Sequence, residues 1–239
     1  MAEAPLRAIF FDAGNTLIFP RVEELAQDLT EQGYPAEVED FYAAERTGKQ
    51  KLDEWLWPQI RLGEVPRTID HFYWGAYLRA LMERIRAPES QHGRLMKRVA
   101  EGFQDITLWS RVLPGTAPYL EKLRARGHFL GIISNSIGTM EEQLARLDLA
   151  RHFETVIDSA VVGVEKPHPD IFKIALSRAR VKPSEAIFVG DTHATDIGGA
   201  QLAGLRGVLI DRVGAYPAAA CPRISSLPEL ESVLANLPS

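Results

Sequence analysis

The stretch "AIFFDAGNTLIF", Ala8 to Phe19, runs four apolar residues into Asp12 and then turns through Gly14, Asn15 and Thr16. A short, unbroken apolar run bounded by turn residues reads as a strand covered on both faces. A carboxylate placed directly after "IFF" is partly desolvated, which costs free energy unless it is paired or bound to a metal. How often the pattern recurs decides the fold.

Further apolar runs of strand length are "FLGIIS" (129–134), "TVIDSA" (155–160), "AIFVG" (186–190) and "GVLI" (207–210). Amphipathic segments at about 115–126, 138–147, 169–180 and 195–204 have helix length and fall between the later runs. Non-alternating strands separated by helices predict a doubly wound parallel α/β sheet. The region from about Pro20 to Arg111 breaks this rhythm. It contains no convincing strand pattern, and Ile69, Phe72, Tyr73, Ala76, Tyr77, Ala80 and Leu81 share one helical face. Trp55, Trp57 and Trp74 lie inside it and Trp109 at its end. The expected organisation is an α/β core of residues 1–18 and 112–239 with an all-helical insertion, 19–111.

With 239 residues, 46% hydrophobic and 25% charged, the composition is that of a globular protein with one large core or a core and insert. The net charge of −5, with Lys and Arg scattered, argues against nucleic-acid binding. No apolar run reaches the ~20 residues of a membrane span, and "MAEAPLRAIFF" enters a strand without a leader-like segment. One cysteine, Cys221, forbids an internal disulfide. The expectation is a cytoplasmic protein, monomer or homodimer, with no membrane or nucleic-acid partner. No zinc spacing, P-loop or dinucleotide fingerprint is present.

Ligands of an open parallel sheet bind beyond the carboxyl ends of its strands. The polar residues there are Asp12, Ser134, Asn135 and Asp191, with Asp196 at the next helix and Lys166 in the loop "VGVEKPHPDIF". Singly, a Ser-Asn is commonly a cap, a Lys-Pro solvated surface and a Gly-Asp a turn. Together these carboxylates, a hydroxyl and an ammonium can hold a divalent cation beside an anionic group.

In these residues the sequence resembles the haloacid-dehalogenase superfamily of hydrolases, most of which are phosphatases. Motif one of that family, an apolar strand followed by DxDxT, is "AIFFDAGNT" with one departure. Motif two matches "GIISN" at Ser134, motif three "GVEKPHPDIF" at Lys166 and motif four "VGDTHATDIGGAQLAG" from Gly190 to Asp196. A helical cap between motifs one and two matches 19–111.

The resemblance implies a small phosphorylated substrate and Mg²⁺ held by the Asp12 carboxylate, the Gly14 carbonyl and Asp191. It implies that Asp12 attacks phosphorus, that Lys166 supplies positive charge and that Asp196 supports the metal waters or Lys166. Ser134, Asn135, Thr16, Lys166 and amides near Gly14 and Asn15 would hold the phosphoryl oxygens. In most of these phosphatases the second Asp of motif one is the general acid, worth typically ~10²–10⁴-fold, and here that position is Gly14. His193, Lys49 and Lys51 are candidate replacements. A metal-independent 2-haloacid dehalogenase, a phosphonate hydrolase using a cap lysine, and a non-catalytic phospho-ligand or protein binder are the alternatives. Retention of Asp191 with Asp196 argues against the dehalogenase. The segments 45–57 and 19–24 are candidates to face the site, with Arg21, Arg46, Lys49 and Trp55 as possible contacts, against the simpler reading of packing and solvated charge.

Overall fold

A computed structural model of the chain describes residues 5–69 and 72–236. The run "AIFF" forms β1 (Ala8–Phe11), whose four residues are all buried because strands flank it on both sides. The chain continues through β2 (Ile18–Phe19), α1 (Val22–Glu31), α2 (Val38–Leu62), α3 (Phe72–Arg84), α4 (Glu89–Gln104) and β3 (Arg111–Val112). It then alternates α5 (Thr116–Ala125), β4 (Phe129–Ser134), α6 (Met140–Arg146), β5 (Thr155–Asp158), α7 (Ser159–Val162), α8 (Pro169–Ala179), β6 (Ala186–Gly190), α9 (Gly199–Leu202), β7 (Arg206–Ile210), β8 (Arg223–Ile224) and α10 (Leu230–Ala235).

Six strands form one parallel sheet in the order β5-β4-β1-β6-β7-β8. The period of two sends Ile9, Phe11, Ile132 and Val189 to one face, against α5, α6 and α10. Phe10, Ile133 and Phe188 go to the other, against Ile171 and Phe172 of α8. Phe11 pairs with both Ile132 and Val189, and the Asp12 N–H donates to the Val189 carbonyl at 2.8 Å. This register brings the ends of β1, β4 and β6 to one edge. The order reverses at β1, between β4 and β6, where a crevice for a ligand is expected.

The chain leaves and re-enters this core through an antiparallel ribbon in which Ile18 pairs with Val112 and Phe19 with Arg111. Between them, α1 to α4 bury a core of their own, including Leu29, Phe41, Ala44, Leu81 and Leu95. The far half of α2 packs Leu52, Leu56 and Ile60 on Ala194 of the sheet domain. Among the described residues no helix is long and apolar enough to cross a membrane.

Some boundaries differ from the sequence reading. The strand predicted over 155–160 stops at Asp158, because its carboxylate accepts the Ala160 N–H at 3.0 Å and starts α7. The helix predicted over 195–204 begins earlier, as a π-helical turn over His193–Gly198 that runs into α9. Ile69 lies outside α3, and Phe72 is partly exposed.

Candidate active site

Asp12 follows β1, Asp191 follows β6, and Asp196 sits in the π-helical turn. Their carboxylate oxygens lie within 4.8 Å of one another. All three are buried, as are Lys166 and Ser134. Lys166 Nζ stands 2.6 Å from Asp12 Oδ1 and 2.8 Å from Asp196 Oδ1. Asp196 Oδ2 also accepts the Thr192 N–H at 2.9 Å, which holds that carboxylate in place beside Lys166.

A second ammonium arrives from the helical segment. Lys49 of α2 is 2% exposed and lies 2.8 Å from Asp191 Oδ2 and 2.7 Å from Glu45. Burial, with Asp196 and Asp191 nearby, pushes Asp12 up to about 7 against the pull of Lys166. Burial raises Asp196 too. Burial works against both ammonium groups, and their carboxylates overcome it: Asp12 and Asp196 hold Lys166 above its ordinary value, and Asp191 and Glu45 hold Lys49 there.

The structure gives several predicted residues narrower roles. Asn135 clamps the lysine loop, its Nδ2 donating to the Lys166 carbonyl at 3.0 Å and its Oδ1 accepting the Lys166 N–H at 2.8 Å. The Asn15 N–H is engaged by the Ile18 carbonyl at 2.8 Å and the Thr16 N–H points at the Ala13 carbonyl. Thr16 is buried away from the cavity. The amides of Ala13 and Gly14 have no hydrogen-bond partner among the described residues, so they are the open ones at this turn. The Ser134 hydroxyl is likewise unengaged and lines the cavity. A Cβ on Gly14 would stand 3.2 Å from Trp109 Cζ3.

Of the helical residues, Lys49 reaches the acidic cluster and Leu52 lines its cavity. Lys51 is exposed and paired with Glu54, Arg21 is paired with Glu24, and Trp55 stacks on Phe72 at 4.6 Å. Arg46 binds Glu39 and the Val213 carbonyl beside a neighbouring cavity. His168 caps α8. His193 Nδ1 lies 2.8 Å from Asp53 Oδ2 and 2.9 Å from Trp57 Nε1. One nitrogen cannot donate to Asp53 and accept from the indole at once. Asp53 and Cys221 outweigh burial and raise His193 to about 9, which favours donation to Asp53. That contact fastens α2 to the sheet domain; it does not face the carboxylates.

Sequence reasoning missed Glu45, the Asp158 clamp on the Gly138 and Met140 N–H groups, and Glu165, which accepts the Ile69 N–H at 2.8 Å. The last two join residues far apart in the chain, which no local spacing signals; Glu45 stands one helical turn before Lys49, a spacing that the sequence does carry.

Gly190 is required by close approach. A Cβ there would overlap the Asp196 carboxylate and lie 2.7 Å from the Asp196 Cβ. Gly190→Ala is therefore expected to cost about 1–3 kcal/mol by overpacking and to lower turnover. Urea unfolding reads the first effect, and an unchanged midpoint would show that Asp196 is free to move aside.

Buried aspartates beyond the central strands of an open parallel sheet, with a lysine from the loop before α8 between two of them, form a charged centre where α/β proteins bind ligands. A family profile described as haloacid dehalogenase-like hydrolase matches residues 6–204, and the chain belongs to that family. It is 32% identical over 215 residues to a phosphoserine phosphatase of Thermus thermophilus, covering 86% of this chain and 82% of that one. Several other curated relatives are matched over less than half of their own length. A crystal structure of a HAD phosphatase from Thermococcus onnurineus superposes with a TM-score of 0.60 at 25% identity, over 98% of this chain and 100% of that one. A 2-haloacid dehalogenase from Pseudomonas syringae superposes with a TM-score of 0.55 at 29% identity, over 96% and 98%. With phosphatases among its relatives, the chain is supported as a phosphoric monoester hydrolase of this family.

Proposed function

We propose that the chain is a Mg²⁺-dependent phosphatase of a small phosphorylated metabolite that works through an aspartyl-phosphate on Asp12. The observation that carries this reading is the charge balance of the buried cluster. Asp12, Asp191, Asp196 and Glu45 face two ammonium groups, Lys49 and Lys166. With all four ionised, four carboxylates against two ammoniums leave two negative charges, which one divalent cation would neutralise. The donors are hard oxygens, as Mg²⁺ requires. Asp12, the Gly14 carbonyl and Asp191 would hold the ion, and it would screen repulsion between Asp12 and the phosphate.

The chain's own groups divide the remaining work. Asp12 supplies the attacking oxygen and is later released by water. Lys166, steered by Asp196, brings a fixed positive charge to the phosphoryl group. The Ser134 hydroxyl and the open Ala13 and Gly14 amides are placed to receive its oxygens. We further propose that 19–111 acts as a cap over a core of 1–18 and 112–239, whose outermost residues, with 70–71, lie outside the described ones. Lys49 would then be the cap's contribution to the closed site. A dehalogenase attacking carbon would have no use for the two uncompensated charges, and we favour the phosphatase for that reason.

The test is hydrolysis of p-nitrophenyl phosphate, an ester whose leaving group needs little protonation. Turnover is expected with Mg²⁺ and is expected to fall at least ~100-fold in EDTA. Equal rates in both would overturn the metal assignment. Chloride release from 2-chloropropionate without phosphatase activity would favour the dehalogenase.

A further inference from the structure

Three cavities meet at Trp74 and Trp109. The one over the carboxylates measures about 390 Å³. A second, about 350 Å³, has charged walls that include Glu39, Glu45, Arg46, Arg111 and Arg212. The third, about 520 Å³, is walled by Ile18, Leu78, Phe103, Ile106, Trp109 and Met140 among others, and none of its lining residues is charged. Ser134 to Ile137 and Gly14 line both this chamber and the carboxylate cavity, so the two are continuous at the phosphoryl position.

Resting on the phosphatase reading, we propose that the substrate's leaving group is an uncharged aromatic moiety seated in this chamber, and that Trp109 determines that specificity. Two independent observations lead there. The first is the wall: a charged leaving group would lose part of its hydration and meet no counter-ion, whereas a flat apolar one gains burial and ring contact. The second is Gly14. Trp109 is held by its Nε1, which donates to the Phe103 carbonyl at 2.9 Å, and by Gln143 Nε2, which donates to the Trp109 carbonyl at 3.2 Å. Its ring then lies where a side chain at position 14 would project. No acid at that position protonates the departing oxygen. As the Asp12 oxygen forms its bond to phosphorus, the phosphorus–oxygen ester bond breaks and the leaving oxygen keeps the electron pair, taking its proton afterwards from water. A phenolic oxygen accepts that charge more readily than an alkyl one. The charged cavity is a poorer seat, because Arg46 and Arg111 are already paired with Glu39 and Glu23 and Arg212 lies over the Phe19 ring at 4.8 Å.

The experiment compares kcat/KM in Mg²⁺ for 2-naphthyl phosphate, O-phosphotyrosine and acetyl phosphate. The first two both have phenolic leaving groups, and one of them carries charges. Wild type is expected to prefer 2-naphthyl phosphate over O-phosphotyrosine by at least ~30-fold. Trp109→Ala is expected to lower the ratio of 2-naphthyl to acetyl phosphate about 10-fold, mainly through KM, and Trp109→Phe, which keeps a ring, by less. O-phosphotyrosine turned over as well as the naphthyl ester would overturn the proposal and point to the charged cavity. A ratio unmoved in both variants would also overturn it. Failure of wild type on all three substrates would remove the phosphatase reading together with this one.

Discussion

Asp12→Asn is expected to abolish hydrolysis, a loss on the order of 10⁴-fold or more, and yet to stabilise the metal-free protein at neutral pH. Both results follow from the same carboxylate. The Asn amide cannot attack phosphorus, and it keeps the shape of the residue it replaces. The native carboxyl is raised from 3.8 to about 7 by burial and by Asp196 and Asp191. Between about pH 4 and 7 the folded protein therefore binds more protons than the unfolded chain, and stability falls as pH rises through that window. Asn removes this slope. Lys166 loses its 2.6 Å charged partner but keeps Asp196 at 2.8 Å, so the gain is held to on the order of 1–2 kcal/mol at pH 7.5. Urea unfolding in EDTA at pH 5 and pH 7.5 measures it. A variant less stable than wild type at both values would refute the crowded-carboxylate picture.

The sequence made the sheet legible because its strands are buried on both faces, and such strands read as unbroken apolar runs. Where those runs end on Asp12, Ser134 and Asp191, parallel register does the rest, since it brings strand ends to one edge. Asp196 at the next helix and Lys166 in the loop before another were read beside them from their places in the chain, and the two stand 2.8 Å apart with Lys166 2.6 Å from Asp12. What stayed hidden has physical reasons. The ribbon of β2 and β3 and the edge strand β8 are two residues each, too short for any period to show. The π-helical turn at His193 has no distinct sequence pattern. Lys49 looked like one of several basic residues on a helix, and only packing of α2 against the sheet domain separates it from solvent-exposed Lys51. Gly14 carried a message about a missing side chain, but the ring filling that space comes from Trp109 at the other end of the helical segment.

Lys166→Met has the opposite sign to Asp12→Asn, and the contrast separates charge from packing. Met matches the lysine stem in length and apolar character, so the buried volume is largely kept. The ammonium lost is the one that stands between Asp12 and Asp196. Breaking a buried ion pair by removing one partner costs about 3–5 kcal/mol, because the remaining charges have no compensation. The native group is held above its ordinary value by those carboxylates, so its contribution is fully present below about pH 10.5 and is lost only as pH rises above that. Asp12, raised to about 7, is protonated at pH 5 and leaves less uncompensated charge there, so the penalty in the variant should be larger at pH 7.5 than at pH 5. Turnover should disappear with it. A double-mutant cycle completes the argument: introduced together with Asp12→Asn, Lys166→Met leaves one carboxylate without its partner where it otherwise leaves two, and costs less than it does alone. If the lysine acted only through its methylenes, methionine would replace it at little cost, and neither the pH nor the residue at position 12 would change the result.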